Sequence, residues 1–74
     1  MRHEVESEVQ GSVWKVELEV GAVVAEGDVI MILESMKMEI PVEAPTAGTL
    51  TELLVKPEDA VEEEQVLAIV DDGA

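Results

Sequence analysis

At 74 residues the chain can build one small hydrophobic core and no second domain, so a single domain over 1–74 is expected. Eighteen Asp and Glu against four Lys and Arg give a formal net charge of −14, which repels nucleic-acid phosphates and anionic lipid surfaces and excludes both as partners. The absence of cysteine excludes a disulfide framework, a thiolate nucleophile and a Cys-based metal site; with no signal-peptide pattern and apolar runs far too short for a membrane helix, the expected location is cytoplasmic.

Val, Ile and Leu supply 23 residues, 13 of them Val, and such β-branched content favours a pleated, half-buried surface over helix. The first residues, His3 among them, are expected to fray. Trp14, Val16, Leu18 and Val20 then alternate with Lys15, Glu17 and Glu19, the period-two pattern of a strand with one wet face. That parity puts Trp14 inward as a core or rim residue, and Val13 breaks it. Turns are expected at Gly21 and at Gly27-Asp28. Val29 to Leu33 is apolar without alternation and reads as a strand buried on both faces.

After this strand comes Glu34-Ser35-Met36-Lys37-Met38-Glu39, followed by punctuation at Pro41, Pro45, Gly48 and Pro57. Leu50 and Leu53 break strand parity as Val13 does, so a bulge or bend is expected at the same place in two segments. Glu62-Glu63-Glu64 reads as a solvated turn, Val66 to Val70 as a second fully buried strand, and Asp71-Asp72 as a fraying end.

Shifting the sequence by 37 positions brings two halves, about 5–34 and 42–71, into register without a gap. Gly11-Ser12-Val13 overlies Gly48-Thr49-Leu50, Val24-Ala25-Glu26 overlies Val61-Glu62-Glu63, and Val29 through Glu34 overlies Val66 through Asp71. Each half should therefore build the same strands, related by a pseudo-twofold, with Ser35 to Glu43 as the joint.

Lys37 stands in that joint. Arg2, Lys15 and Lys56 are the other basic side chains, and a cation framed by two thioethers and two glutamates marks a candidate site of covalent modification. The plainer reading is an exposed lysine in a turn between two core methionines, since methionine is common gap-filling material. Glu34-Ser35-Met36-Lys37-Met38-Glu39 resembles the Glu-Ala-Met-Lys-Met motif of the biotinyl domains of the biotin/lipoyl attachment family, and the resemblance extends through Gly21, Gly27-Asp28, Ala44-Pro45 and Ala47-Gly48-Thr49.

That resemblance implies an all-β fold, a flattened barrel-sandwich of two antiparallel four-stranded sheets with the modified lysine on a tight hairpin. It implies covalent biotin on Lys37, with Glu34, Ser35, Met36 and Met38 shaping the hairpin and its recognition. The implied partners are a biotin protein ligase, a biotin carboxylase and a carboxyltransferase, between which the biotinyl-lysine would swing as an arm carrying carboxyl groups. A lysine with an ordinary pKa near ~10.4 is neutral in about one molecule in a few thousand at pH 7, so the ligase would supply both the activated acyl group and the base. The chain would be a carrier rather than an enzyme, free-standing or a detachable subunit, and monomeric in isolation because of its charge.

Three departures from the family pattern are visible. Ser35 replaces the usual alanine, Ser7-Glu8 stands where Ala-Pro is common, and Glu58 and Glu64 replace turn glycines at a cost of about 1 kcal/mol each where φ must be positive. A lipoyl carrier is the related alternative, but its lysine usually follows an aspartate and precedes a small residue. The alternative from another class is an unmodified β-rich interaction module. Elsewhere, His3 has no partner at ligand spacing, Ser7, Ser12 and Ser35 have no neighbouring base, and Glu62-Glu63-Glu64 and Asp71-Asp72 read as solvated charge, so no catalytic or metal residue is expected.

Overall fold

The computed structural model describes residues 1–73 and contains eight strands and no helix among them. They are β1 (Arg2–Glu6), β2 (Gly11–Val16), β3 (Val23–Val24), β4 (Val29–Ser35), β5 (Met38–Glu43), β6 (Gly48–Leu53), β7 (Ala60–Val61) and β8 (Val66–Asp71). Two antiparallel four-stranded sheets result, ordered β1-β8-β6-β3 and β5-β4-β2-β7. Each keeps two open edges, so the architecture is a sandwich and not a closed barrel.

The repeat holds at the level of backbone pairing. Strand β2 pairs β4 through Ser12↔Glu34, Val13↔Leu33, Lys15↔Ile32 and Val16↔Met31, and β6 pairs β8 through Thr49↔Asp71, Leu50↔Val70, Glu52↔Ile69 and Leu53↔Ala68. Both ladders skip one residue at the same point, Trp14 in one and Thr51 in the other. The repeat also reaches past the segments visible as sequence copies: β1 lies against β8 as β5 lies against β4, His3↔Val70 matching Ile40↔Leu33. Thus β5 is itself the copy of β1, and Pro41, expected to punctuate, lies inside it. An edge strand tolerates the missing N–H.

The runs without alternation became the interior strands β4 and β8, each flanked by a partner on both sides. Ile30, Met31 and Leu33 on one and Leu67, Ala68 and Val70 on the other are fully buried, joined by Val13 and Leu50 from the bulged strands. Burying a side chain of this size contributes about 1.5–3 kcal/mol, so these copies are the bulk of what holds the sheets together. Ser7 is buried among them without penalty, because its hydroxyl donates to the Val9 carbonyl at 2.6 Å and accepts from the Val9 N–H at 3.3 Å.

Two expectations are corrected. Trp14 does not point inward: it is the extra residue of the bulge and is 49% exposed, because the bulge resets the parity so that Val13 faces the core instead. Neither chain end frays among the described residues. Arg2 to Glu6 pair with β8, Asp71 belongs to that strand, and the Asp72 N–H donates to the Met1 carbonyl at 3.0 Å.

The turns repeat as well. Gly21 (φ 99°) and Gly27 (φ 90°) have as counterparts Glu58 (φ 76°) and Glu64 (φ 69°), so the second half places glutamates in the left-handed region. Their hydrogen bonds match. Gly21 N–H donates to Leu50 O and Glu58 N–H to Val13 O, while Gly27 N–H donates to Ala44 O and Glu64 N–H to Ser7 O, all at 2.7–2.9 Å.

Candidate functional site

The hairpin between β4 and β5 closes with two residues. Glu34 pairs Glu39 and Ser35 pairs Met38, leaving Met36 (φ 52°) and Lys37 (φ 67°) as the turn. Positive φ at both central positions is the signature of a type I′ turn, whose twist matches that of the flanking strands and which usually selects Asn-Gly. Two long side chains stand there instead, each at a cost of about 1–2 kcal/mol in the left-handed region. Strain of this kind persists at functional sites when the surroundings over-determine the backbone.

Those surroundings are specific. Gly11 at the start of β2 lies so close to β4 that a Cβ on it would sit 2.2 Å from the Glu34 carbonyl oxygen. The Ser35 hydroxyl donates to the Gln10 carbonyl at 2.7 Å, tying the base of the hairpin to the β1–β2 loop. An alanine at position 35 has no such bond, so the departure at Ser35 has a structural use that the sequence did not reveal.

The plainer reading of Met-Lys-Met required two core methionines. Met36 is 91% exposed and Met38 64% exposed, with Lys37 exposed between them. So exposed, the thioethers hold an apolar surface in water around the lysine. Below them Glu34 and Glu39 are exposed and directly opposite in register. Like charges so placed are destabilising in a sheet, and together they set a negative field at the foot of the lysine turn.

Several of the remaining polar groups pair with one another. His3 Nε2 lies 2.7 Å from Asp72 Oδ2, and the Met1 amino group reaches Asp72 Oδ1 at 2.9 Å and Asp71 Oδ1 at 3.4 Å. The Asp72 carboxylate raises the pKa of that amine, and the Gly73 N–H donating to Asp71, then the amine itself, lowers that of Asp71. This cluster fastens the chain ends to each other. Ser12 lies opposite Glu34, and Glu63 and Glu64 sit in a turn closed by the Glu62 N–H on Gln65 Oε1 at 2.9 Å. Among the described residues no three His, Cys, Asp or Glu are grouped to hold a metal ion. An open groove between the loops after β2 and β6 is lined by Val16, Leu18, Val20, Leu53, Val55 and Pro57, with Glu17, Glu19 and Lys56 among them.

Comparison with known proteins agrees with this geometry. The biotin/lipoyl family, described as "Biotin-requiring enzyme", matches residues 1–70. A biotinylated protein TB7.3 homolog of Mycobacterium leprae is 37% identical over 70 residues, covering 95% of this chain and 99% of that protein. A biotin/lipoyl attachment protein of Bacillus subtilis is 41% identical over 63 residues, covering 85% of this chain and 86% of that protein. Among solved structures, the urea carboxylase of Kluyveromyces lactis superposes with a TM-score of 0.92 at 34% identity, over 96% of this chain and 6% of that one.

Proposed function

Since the chain belongs to the biotin/lipoyl family of biotin-requiring enzymes, we propose that it is a biotin carboxyl carrier in which Lys37 takes biotin covalently through its Nζ. The observation that carries this reading is Lys37 at the centre of a projecting two-residue turn with Met36 and Met38 both in solvent. A lysine meant only as surface charge needs neither left-handed backbone nor thioether flanks. The relatives matched over nearly their whole length are named for biotinylation or for biotin/lipoyl attachment, which supports a carrier with no catalytic apparatus of its own.

The donor set fits the group. Biotin ends in a carboxyl that forms an amide with a primary amine, and the exposed Nζ of Lys37 is one. In the proposed step a biotin protein ligase presents biotinyl-adenylate. The Lys37 amine, having lost a proton to a base of the ligase, forms the amide bond to the acyl carbon as the bond to AMP breaks. Bound biotin supplies a ureido nitrogen able to carry a carboxyl group. The chain's own part is positional: β4 and β5 hold Nζ clear of the core, and Met36 and Met38 offer the ligase an apolar contact with little polar desolvation.

The urea carboxylase that this chain superposes on matches it over a small segment of its own length, which supports a biotin carboxylase and a carboxyltransferase as the sites the modified Lys37 would visit. Weak, reversible docking at the tip suits such traffic. Exposed methionines on both sides of Lys37 favour biotin over lipoate, whose lysine usually has an aspartate before it and a small residue after.

The test is the intact mass of the protein after incubation with a biotin protein ligase, ATP and biotin. Wild type gains one biotinyl group and Lys37→Arg gains none. No gain in wild type, or a gain only with a lipoyl ligase and lipoate, overturns the reading.

A further inference from the structure

The repeat supplies an internal control, because positions in the lysine-bearing sheet have counterparts in the other. On the outer face of β5-β4-β2, register sets Pro41 beside Ile32 and Ile32 beside Lys15, and Trp14 projects from the adjoining bulge. Met31 and Leu33 on either side of Ile32 are fully buried, so Ile32 points outward. The counterparts in the other sheet are Glu4, Ile69, Glu52 and Thr51. There Glu52 is ion-paired with Arg2, Ile69 is covered, and the Thr51 hydroxyl donates to the Ile69 carbonyl at 3.3 Å.

The backbone is the same in both places, bulge included. The fold therefore requires no indole at this point, since threonine fills the equivalent position. Yet the only Trp, Tyr or Phe in the chain stands here, half in solvent, on the sheet that carries Lys37 and not on its twin.

Resting on the reading of Lys37 as the biotin acceptor, we propose that Trp14, Ile32 and Pro41 are a docking face for the ligase that acylates Lys37. The matching face of the ligase is an apolar socket rimmed by Lys and Arg. Reach selects this occupant. The row lies three residue pairs below the Ser35–Met38 pair that closes the lysine turn, roughly 10 Å at strand rise. A ligase must bring its reaction centre to Nζ itself and so press against the hairpin, and a contact of about 800 Å² per partner spans roughly 30 Å. Enzymes that meet the far end of a modified lysine have no such need to press against the hairpin.

Charge selects it as well. Glu34, Glu39 and Glu43 are exposed along the same face, and Lys15 is engaged by Glu17 at 3.2 Å. A second copy of the chain would set carboxylates against carboxylates, whereas a basic rim is attracted. An exposed Trp on a face that also carries acids is the kind of residue that anchors such an interface.

The experiment is steady-state biotinylation with a purified ligase that modifies the wild-type chain, using Trp14→Thr, which installs the residue of the twin position, and Trp14→Phe. Trp14→Thr is expected to raise KM for the carrier about tenfold, the loss typical of a truncated anchor, with kcat within about twofold of wild type, and Trp14→Phe to recover most of the loss. Melting curves confirm that both variants are folded. An unchanged KM for Trp14→Thr overturns the proposal, as does a fall in kcat alone, which would mean disturbed presentation of Lys37. A dimer of wild type in sedimentation that Trp14→Thr dissolves also overturns it, in favour of a second copy. Failure of wild type to accept biotin strikes instead at the reading of Lys37.

Discussion

Replacing Glu58 and Glu64 by glycine should stabilise the protein, because both hold φ near 70° where the first half has Gly21 and Gly27. A non-glycine residue in the left-handed region costs about 1–2 kcal/mol. Glycine's greater freedom in the unfolded chain returns about 0.5–1 kcal/mol of that, leaving a net gain of roughly 0.5–1 kcal/mol per site. For a domain of this size 1 kcal/mol moves Tm by about 4–8 °C, so the double variant should melt roughly 4–15 °C higher. Charge complicates the comparison: Glu64 borders a surface depression shared with Glu4, Glu6, Glu8, Glu43 and Glu63, and its removal also relieves repulsion. Glu58→Gln and Glu64→Gln separate the two effects, since glutamine loses the charge and keeps the Cβ. Calorimetric melts at about 0.15 M salt, where the Debye length is near 8 Å, should rank glycine above glutamine at both sites. Equal melting of the Gly and Gln variants would refute the backbone reasoning and leave electrostatics as the cause.

Gly11→Ala and Gly48→Ala introduce the same clash in the two sheets, with the new Cβ 2.2 Å from Glu34 O and 2.3 Å from Asp71 O. Both should lose about 2–4 kcal/mol in urea titrations. Gly11→Ala alone should slow biotinylation at a temperature where both remain folded, because its clash lies beneath the Lys37 turn, and equal slowing would count against that distinction. The clamp at the chain ends should depend on pH in both directions. The raised pKa of the Met1 amine means that its contribution is complete below the ordinary value of 8.0 and is lost as pH rises through the folded value. The lowered pKa of Asp71 means that its contribution is complete above 3.8 and is lost as pH falls. Amide exchange across β1, once corrected for its intrinsic pH dependence, should be slowest between those limits, and acetylating the Met1 amine should remove the alkaline limb.

The repeat made most of the fold legible, because a gapless register of apolar positions predicts paired copies whatever their detailed geometry. The buried strands β4 and β8 could be read from the lack of alternation, and the paired bulges from the broken parity at Val13 and at Leu50 and Leu53. The same bulge concealed Trp14: alternation fixes facing only until a residue is inserted, and a sequence does not say which residue is the extra one. Fraying at the ends was misjudged because His3, Asp71 and Asp72 read as isolated polar residues until β1 and β8 bring them together. The lysine motif was legible through its resemblance to a family. That its methionines are exposed was not, because a thioether is equally at home in a core. The link between Ser35 and Gln10 joins residues 25 apart and leaves no local pattern to find.

Pairing by pairing, the backbone treats its two halves alike, yet at one place they must differ. The Met1 carbonyl and the Asp72 N–H meet where Met38 and Ser35 meet in the other half, and there the described residues have no counterpart to the Met36-Lys37 turn. The twofold framework of residues 1–73 thus carries one Met-Lys-Met turn. On the proposed reading, a scaffold of order two presents a tether of valency one.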